Sequence, residues 1–304
     1  MTETVVKDKR RLGLSILRGS IQLTFLGLFV AAAWSASYPP AGTLQENVFL
    51  RAEPLNAVLS RGGAFGITFV LPAIILLLLT LPTGRFFCGW ICPLGTCCDF
   101  VPSAGQHGKR TLKKMRPHGL GGAVRESGTP RLRLKYVLLA VLIILYVVNI
   151  NLLWYLNPVV IANRAVLFIL TGAVPLVFIA LMVLAIAYKP RYWCEELCPT
   201  GALFSAVSAL GKLLPEKLSP LALHKDEEAC THCGKCAVAC PFEITEVADS
   251  RVTGRLALAD CALCGECVAA CPCDRALSLT SFGLPAYASG RRGACELLPE
   301  EGGA

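Results

Sequence analysis

The chain has 304 residues, of which 54% are hydrophobic and 16% charged, with a mean hydropathy of +0.57. Soluble domains run near a quarter charged, so the deficit points to lipid and away from an ordinary water-soluble globule. The formal net charge of +8 raises nucleic acid as a partner, but where those charges fall argues against it.

Four apolar stretches, roughly 19–36, 64–81, 136–156 and 165–188, are each long enough to cross a hydrocarbon core at about 1.5 Å per residue. Trp34, Trp154 and Tyr155 lie near their ends, as interfacial aromatics do. Pro72 and Pro175 sit inside spans, where neighbouring helices satisfy the freed carbonyls.

Basic residues separate the connecting segments. Residues 1–18 carry Lys7, Lys9, Arg10, Arg11 and Arg18, and the loop 82–135 carries ten from Arg85 to Lys135 against Asp99 and Glu126. The loop 37–63 has Arg51 and Arg61, and the loop 157–164 has Arg164. By the positive-inside rule both termini and the 82–135 loop are cytoplasmic. The expected location is the cell inner membrane, multi-pass, with the basic loop near anionic headgroups and no nucleic-acid partner. The first span has a rival reading as a signal peptide with an Arg10–Arg11 twin-arginine pair, whose cleavage leaves the later topology unchanged.

A repeat follows the second and fourth spans. Arg85-Phe-Phe-Cys88-x3-Cys92-Pro93-x-Gly95 realigns 106 residues later as Arg191-Tyr-Trp-Cys194-x3-Cys198-Pro199-x-Gly201. Two helical hairpins, each ending in such a pair, make up residues 1–202. Cysteines at i and i+4 share one helical face, so Cys88, Cys92, Cys194 and Cys198 are candidates for a joint redox, metal or partner site. Arg85 and Arg191 stand three residues before each pair, placed to lower thiol pKa values. The competing reading is a packed helix end, with proline starting the next helix and cysteine as a small hydrophobe. Cys97 and Cys98 lack counterparts in the second copy, where Leu203 and Phe204 stand, and are expected to be incidental.

Residues 203–224 form an amphipathic linker. Leu203, Phe204, Val207, Leu210, Leu213 and Leu214 keep helical spacing, which suits a helix on the bilayer or an ordinary packing helix.

Residues 225–282 repeat at 31 residues. Cys230-x2-Cys233-x2-Cys236-x3-Cys240-Pro241 is followed by Cys261-x2-Cys264-x2-Cys267-x3-Cys271-Pro272, the bacterial two-cluster ferredoxin pattern. Cluster I uses Cys230, Cys233, Cys236 and Cys271. Cluster II uses Cys261, Cys264, Cys267 and Cys240, because the fourth ligand of each run serves the other cluster. Gly234 and Gly265 let the loops turn tightly. Paired zinc sites are the bland alternative, but zinc knuckles need neither a third cysteine nor the Cys-Pro. Thiolates of this kind stay reduced on the cytosolic side. Cys273 has no assigned role, Cys295 is expected to be a free thiol, and 283–304 form a flexible tail. The fold class is therefore membrane α-helical, a four-helix transmembrane anchor with a C-terminal 2[4Fe–4S] ferredoxin domain of α+β type.

The histidines, His107, His118, His224 and His232, all lie outside the spans, and no CxxCH occurs, so no haem is expected. No GxGxxG or GxxxxGK[ST] opens a nucleotide fold.

The order of hairpin, CGWICP, hairpin, CEELCP and double CxxCxxCxxxCP resembles the NapH/MauN family of membrane ferredoxins over nearly the whole chain. The resemblance implies four membrane helices with cytoplasmic termini and two [4Fe–4S] clusters on the eight tail cysteines. It implicates the CxxxCP cysteines, here Cys88, Cys92, Cys194 and Cys198, in electron transfer or partner contact. Members resembling NapH pass electrons from quinol towards a periplasmic reductase through an iron–sulfur partner; others serve metalloenzyme maturation. The expected role is an electron-transfer subunit of a quinol dehydrogenase, drawing on the quinol pool and delivering to a redox partner protein. The alternatives are an electron donor for metalloenzyme assembly and a redox sensor or scaffold.

Overall fold

A computed structural model describes residues 2–37, 48–55, 67–100, 134–148, 157–171, 191, 193–211, 215, 219–256 and 258–290. They fall into two compact units. The first combines Met1–Thr24, Leu77–Ile91 and Phe204–Ala304; the second combines Phe25–Leu76 and Cys92–Leu203.

Helix α1, Thr2–Ser37, is proline-free and unbroken. Its stretch Gly13–Ser35, with hydropathy 1.6, is the one segment among the described residues long and apolar enough to cross a membrane. Shorter apolar helices cover Val70–Thr83, within α3 (Ile67–Thr83), and Leu134–Val147 (α6). Leu23, Leu28, Leu71, Ile75, Leu78, Ile144 and Val147 on these helices are exposed. The third predicted span is described only to residue 148 and the fourth only to 171, and loop residues 101–133 lie outside the described residues.

In the second unit α2 (Val48–Ala52) leads to Glu53, which is 1% exposed. Its carboxylate accepts from the Leu55 amide at 3.2 Å, from Thr200 Oγ1 at 2.8 Å and from Asn157 Nδ2. Asn157 Oδ1 in turn accepts from the amides of Val159 and Val160, capping α7 (Pro158–Thr171). A buried carboxylate needs such donors, and three chain segments supply them. Glu53 and Asn157 belong to the loops 37–63 and 157–164, expected on the far face, whereas Thr200 follows Cys198-Pro199, expected on the cytoplasmic face; Glu53 joins the two.

The first unit is built on a four-stranded antiparallel sheet in the order β2-β1-β3-β4. The strands are β1 (Ala222–Lys225), β2 (Gly254–Arg255), β3 (Leu277–Ser281) and β4 (Leu284–Ala288). Leu223, Leu277 and Leu279 bury one face of β1 and β3, as a half-covered sheet requires. Two short helices, Lys235–Ala239 and Glu266–Ala270, start on left-handed Gly234 (φ +67) and Gly265 (φ +77). A Cβ at Gly265 would also come 2.7 Å from Leu14 Cδ2, so a larger residue there must push the Leu14 tip aside as well as hold the left-handed φ.

The helix Pro199–Leu210 (α8) opens on proline before the predicted linker boundary at 203. Phe204 is fully buried, its ring 5.8 Å from that of Phe87, while Leu210 is exposed. Phe204 therefore makes this a packing helix on one side; Leu213 and Leu214 lie outside the described residues.

Candidate iron–sulfur site

The two cysteine runs adopt one backbone twice. His232 and Leu263, the residues before the second cysteine of each run, are both left-handed at φ 51° and 50°. Two residues on, the left-handed glycines start the short helices, and Cys240 and Cys271 follow in extended conformation at their ends. Each chain reversal therefore wraps three cysteines around a hollow and sends the fourth away.

The hollows are two cavities with non-overlapping cysteine sets. One is lined by Cys240, Cys261, Cys264 and Cys267, with Leu223, Phe242, Ile244 and Leu279 as apolar wall. The other is lined by Cys230, Cys233, Cys236 and Cys271, with Cys273, Lys225 and His232 at its margin. Burial pushes the Cys236 thiol up to about 11, and the neighbouring Cys271, Cys230 and Cys233 raise it further against the Ala237 amide. Burial likewise pushes Cys261 up to about 12, with Cys264 and Cys240 adding to it and the Leu263 amide and Arg85 opposing. Cys267 is raised well above the ordinary thiol value, first by burial and then by Cys261, Cys264 and Cys240. Each fourth cysteine thus lies in the electrostatic reach of the opposite run.

The donor set fits an iron–sulfur cube. Among the described residues, the three metal-type donors that lie within 4.8 Å of one another are Glu227, Cys230 and His232. No three of the described cavity sulfurs lie within 4.8 Å of one another, whereas a zinc tetrahedron with bonds of about 2.3 Å demands an edge of about 3.8 Å. His232 itself contacts Glu227 Oε1 at 2.8 Å, and Lys225 contacts the other oxygen at 3.0 Å. Cys273 is disulfide-bonded, with its sulfur 3.3 Å from Thr231 Oγ1. Cys295 lies outside the described residues.

Segments distant in sequence cover the second run. Gln22 Nε2 and Arg18 Nε donate to the Gly89 carbonyl at 2.9 and 3.2 Å, and Arg18 Nη1 meets Glu266 Oε1 at 3.1 Å. Trp90 Nε1 points to the Leu263 carbonyl at 3.4 Å, and a Cβ at Gly89 would come 3.0 Å from that of Ala262. Half of the first CxxxCP motif, on helix Phe86–Trp90 (α4), thus packs against the ferredoxin loop.

The CxxxCP cysteines are not paired as one helical face would place them. Cys88 lies on α4 in the first unit, but that helix ends at Trp90, and Cys92 stands outside any helix. Cys194 sits in a π-helix, Trp193–Leu197, closed by the Cys198 amide donating to the Trp193 carbonyl at 2.8 Å. Pro93 and Pro199 do start helices, α5 (Pro93–Phe100) and α8. The Cys198 sulfur accepts from the Gly201 amide at 3.1 Å.

Cys98, expected to be incidental, joins the buried thiols of the second unit. A hydrogen bond with Cys194 and burial push its thiol far up, the charges of Cys194 and Cys92 add to this, and Arg191 opposes. Burial also raises Cys97. Arg191 reaches Asp99, the residue after Cys98. Its repeat partner Arg85 pairs instead with Asp260, beside the predicted ligand Cys261. Sequence repeats give no sign of this divergence, because both partners lie far off along the chain.

Comparisons with known proteins point to iron–sulfur binding. A family model described as "4Fe-4S binding domain" matches residues 65–111 and 170–217, and a "4Fe-4S dicluster domain" model matches 222–272. The chain is 25% identical over 234 residues to the ferredoxin-type protein NapH of Escherichia coli, covering 74% of each chain. It is 27% identical over 238 residues to the methylamine utilization ferredoxin-type protein MauN of Methylorubrum extorquens, covering 75% of this chain and 76% of that one. Ferredoxin-type protein NapH of Haemophilus influenzae is 25% identical over 228 residues, 72% of each chain. No solved structure matches significantly. The chain is similar to the NapH- and MauN-type ferredoxin-type proteins over about three quarters of its length, and it carries iron–sulfur ferredoxin-type domains of electron transfer.

Proposed function

We propose that the chain holds two [4Fe–4S] clusters and relays electrons singly from quinol to a partner redox protein, attached to the cytoplasmic membrane by its apolar helices. The observation that carries this is the pair of cavities, each lined by three cysteines of one run and the fourth of the other. When bound, each cluster supplies one reversible electron. Cys230, Cys233, Cys236 and Cys271 hold the first, and Cys261, Cys264, Cys267 and Cys240 the second. Phe242, Ile244, Leu223 and Leu279 keep water from the second cavity, while exposed His232 leaves the first nearer to solvent.

Two single-electron carriers suit the splitting of a two-electron quinol oxidation. The apolar, lipid-compatible faces of α1, α3 and α6 support membrane attachment, and the basic segments 1–18 and 82–135 support a cytoplasmic ferredoxin domain. The buried thiols Cys92, Cys194 and Cys198, with Cys88 on α4, are proposed for electron entry or partner contact.

The test is to add a quinol analogue to the oxidised, purified protein and follow the electron paramagnetic resonance (EPR) signal of reduced clusters. Appearance of both signals supports the relay. Clusters that dithionite reduces but quinol does not would remove quinol as the donor.

A further inference from the structure

Arg85 is 1% exposed, although it belongs to a motif repeated elsewhere in the chain. Its Nη1 donates to Asp260 Oδ1 at 3.0 Å, and its amide donates to the Cys261 carbonyl at 3.2 Å. Its guanidinium carbon lies 5.4 Å from the centre of the Phe242 ring. Phe242, Cys261 and Cys240 line the same cavity, so the cation is applied to its wall from behind. Its charge also acts on Cys261 in the direction that favours negative sulfur.

We infer that Arg85 sets the reduction potential of the [4Fe–4S] cluster held by Cys240, Cys261, Cys264 and Cys267, raising it by stabilising the added electron. This rests on the two-cluster reading above. Reduction takes one electron, supplied by dithionite in the test, and adds one negative charge to the cavity. No iron–thiolate bond breaks and no proton is needed. A buried cation is barely screened by solvent, so it favours the more negative state. Asp260 pulls the opposite way, and the Ser205 hydroxyl, 2.6 Å from the same carboxylate oxygen, spreads part of its charge. Removing the cation leaves the carboxylate beside Cys261 uncompensated, which lowers the potential. Neutralising Asp260 acts with the opposite sign. Other structural roles for Arg85 give no reason for the two variants to shift in opposite directions.

The experiment is a dithionite redox titration of the full chain in detergent, followed by low-temperature EPR. The step that disappears in Cys264→Ser identifies the cluster concerned. Arg85→Gln should move that step to lower potential and Asp260→Asn to higher potential. Arg85→Lys should restore most of the wild-type value, and the other step should stay in place throughout. Should Arg85→Gln fail to fold, Arg85→Lys and Asp260→Asn still test the sign. Shifts in the same direction, or none in variants that keep their iron, overturn the inference. A wild type without two [4Fe–4S] steps overturns the two-cluster reading instead.

Discussion

Arg191 and Asp99 are joined twice: Nε and Nη2 of the guanidinium both donate to Asp99 Oδ1, the first at 3.2 Å. The bond ties the end of α5 to the turn before the π-helix. Arg191 is 4% exposed and the carboxylate 22%, so most of the pair is out of water. Asp99→Asn should cost about 2 kcal/mol, below the usual range for a fully buried pair because the carboxylate keeps some solvent. A thermal unfolding curve of the detergent-solubilised protein checks it. An unchanged midpoint would reduce the contact to a surface ion pair.

The thiols of the two CxxxCP motifs give a second prediction. Replacing Cys88, Cys92, Cys194 or Cys198 with alanine should abolish quinol-driven electron flow while both cluster signals survive. Cys98→Ser should impair the same flow, since its thiol bonds Cys194. Normal turnover in a Cys88→Ala, Cys194→Ala variant would leave these residues as helix-end packing, at a modest stability cost.

Ligand exchange between the runs is tested by Cys240→Ala. It should damage the cluster otherwise held by Cys261, Cys264 and Cys267, and spare the one beside Cys230. Wild-type iron should be about eight atoms per chain. Zinc at about two atoms per chain would reverse the assignment.

Gly265→Ala asks two things of the fold at once. The residue must hold φ +77, and its new methyl must displace the Leu14 side chain. The combined loss should be about 2 kcal/mol, with loss of the second-run signal before the first. Gly234→Ala, which meets nothing within 4 Å, should cost only the backbone strain, about 1 kcal/mol.

Topology is open to direct measurement. A phosphatase reporter should be active near Ala57 or Asn163 and inactive near Lys113 or after Ala304. Because Glu53 joins Asn157 to Thr200, activity at the first two sites is the more demanding half of this test. An active reporter at Ala304 would put the ferredoxin domain in the wrong compartment.

The grouping of eight cysteines around two cavities was readable in the sequence because it depends on short spacings. Three thiols two residues apart, then a Cys-Pro, fix the loop whatever else the chain does. Proline at the start of α5 and α8 was readable for the same local reason. Arg85 and Arg191 were not, since their partners Asp260 and Asp99 lie 175 and 92 residues away. The π-helix at Trp193–Leu197 escaped a reading based on 3.6-residue periodicity. Glu53 was lost in a loop that hydropathy alone treats as water-exposed, because hydropathy does not register which donors a carboxylate will find.

The contact between Arg18 and Glu266 spans 248 residues and has a consequence for biogenesis. The N-terminal helix leaves the ribosome long before the second cysteine run exists, yet it ends up lying across that run at Gly265 and Glu266. Any assembly factor delivering iron and sulfide must therefore reach the loop before this helix settles, or lift it afterwards. On the proposed two-cluster reading, the order of synthesis makes the helix segment holding Leu14 and Arg18 a gate on loading of the site around Cys261, Cys264 and Cys267.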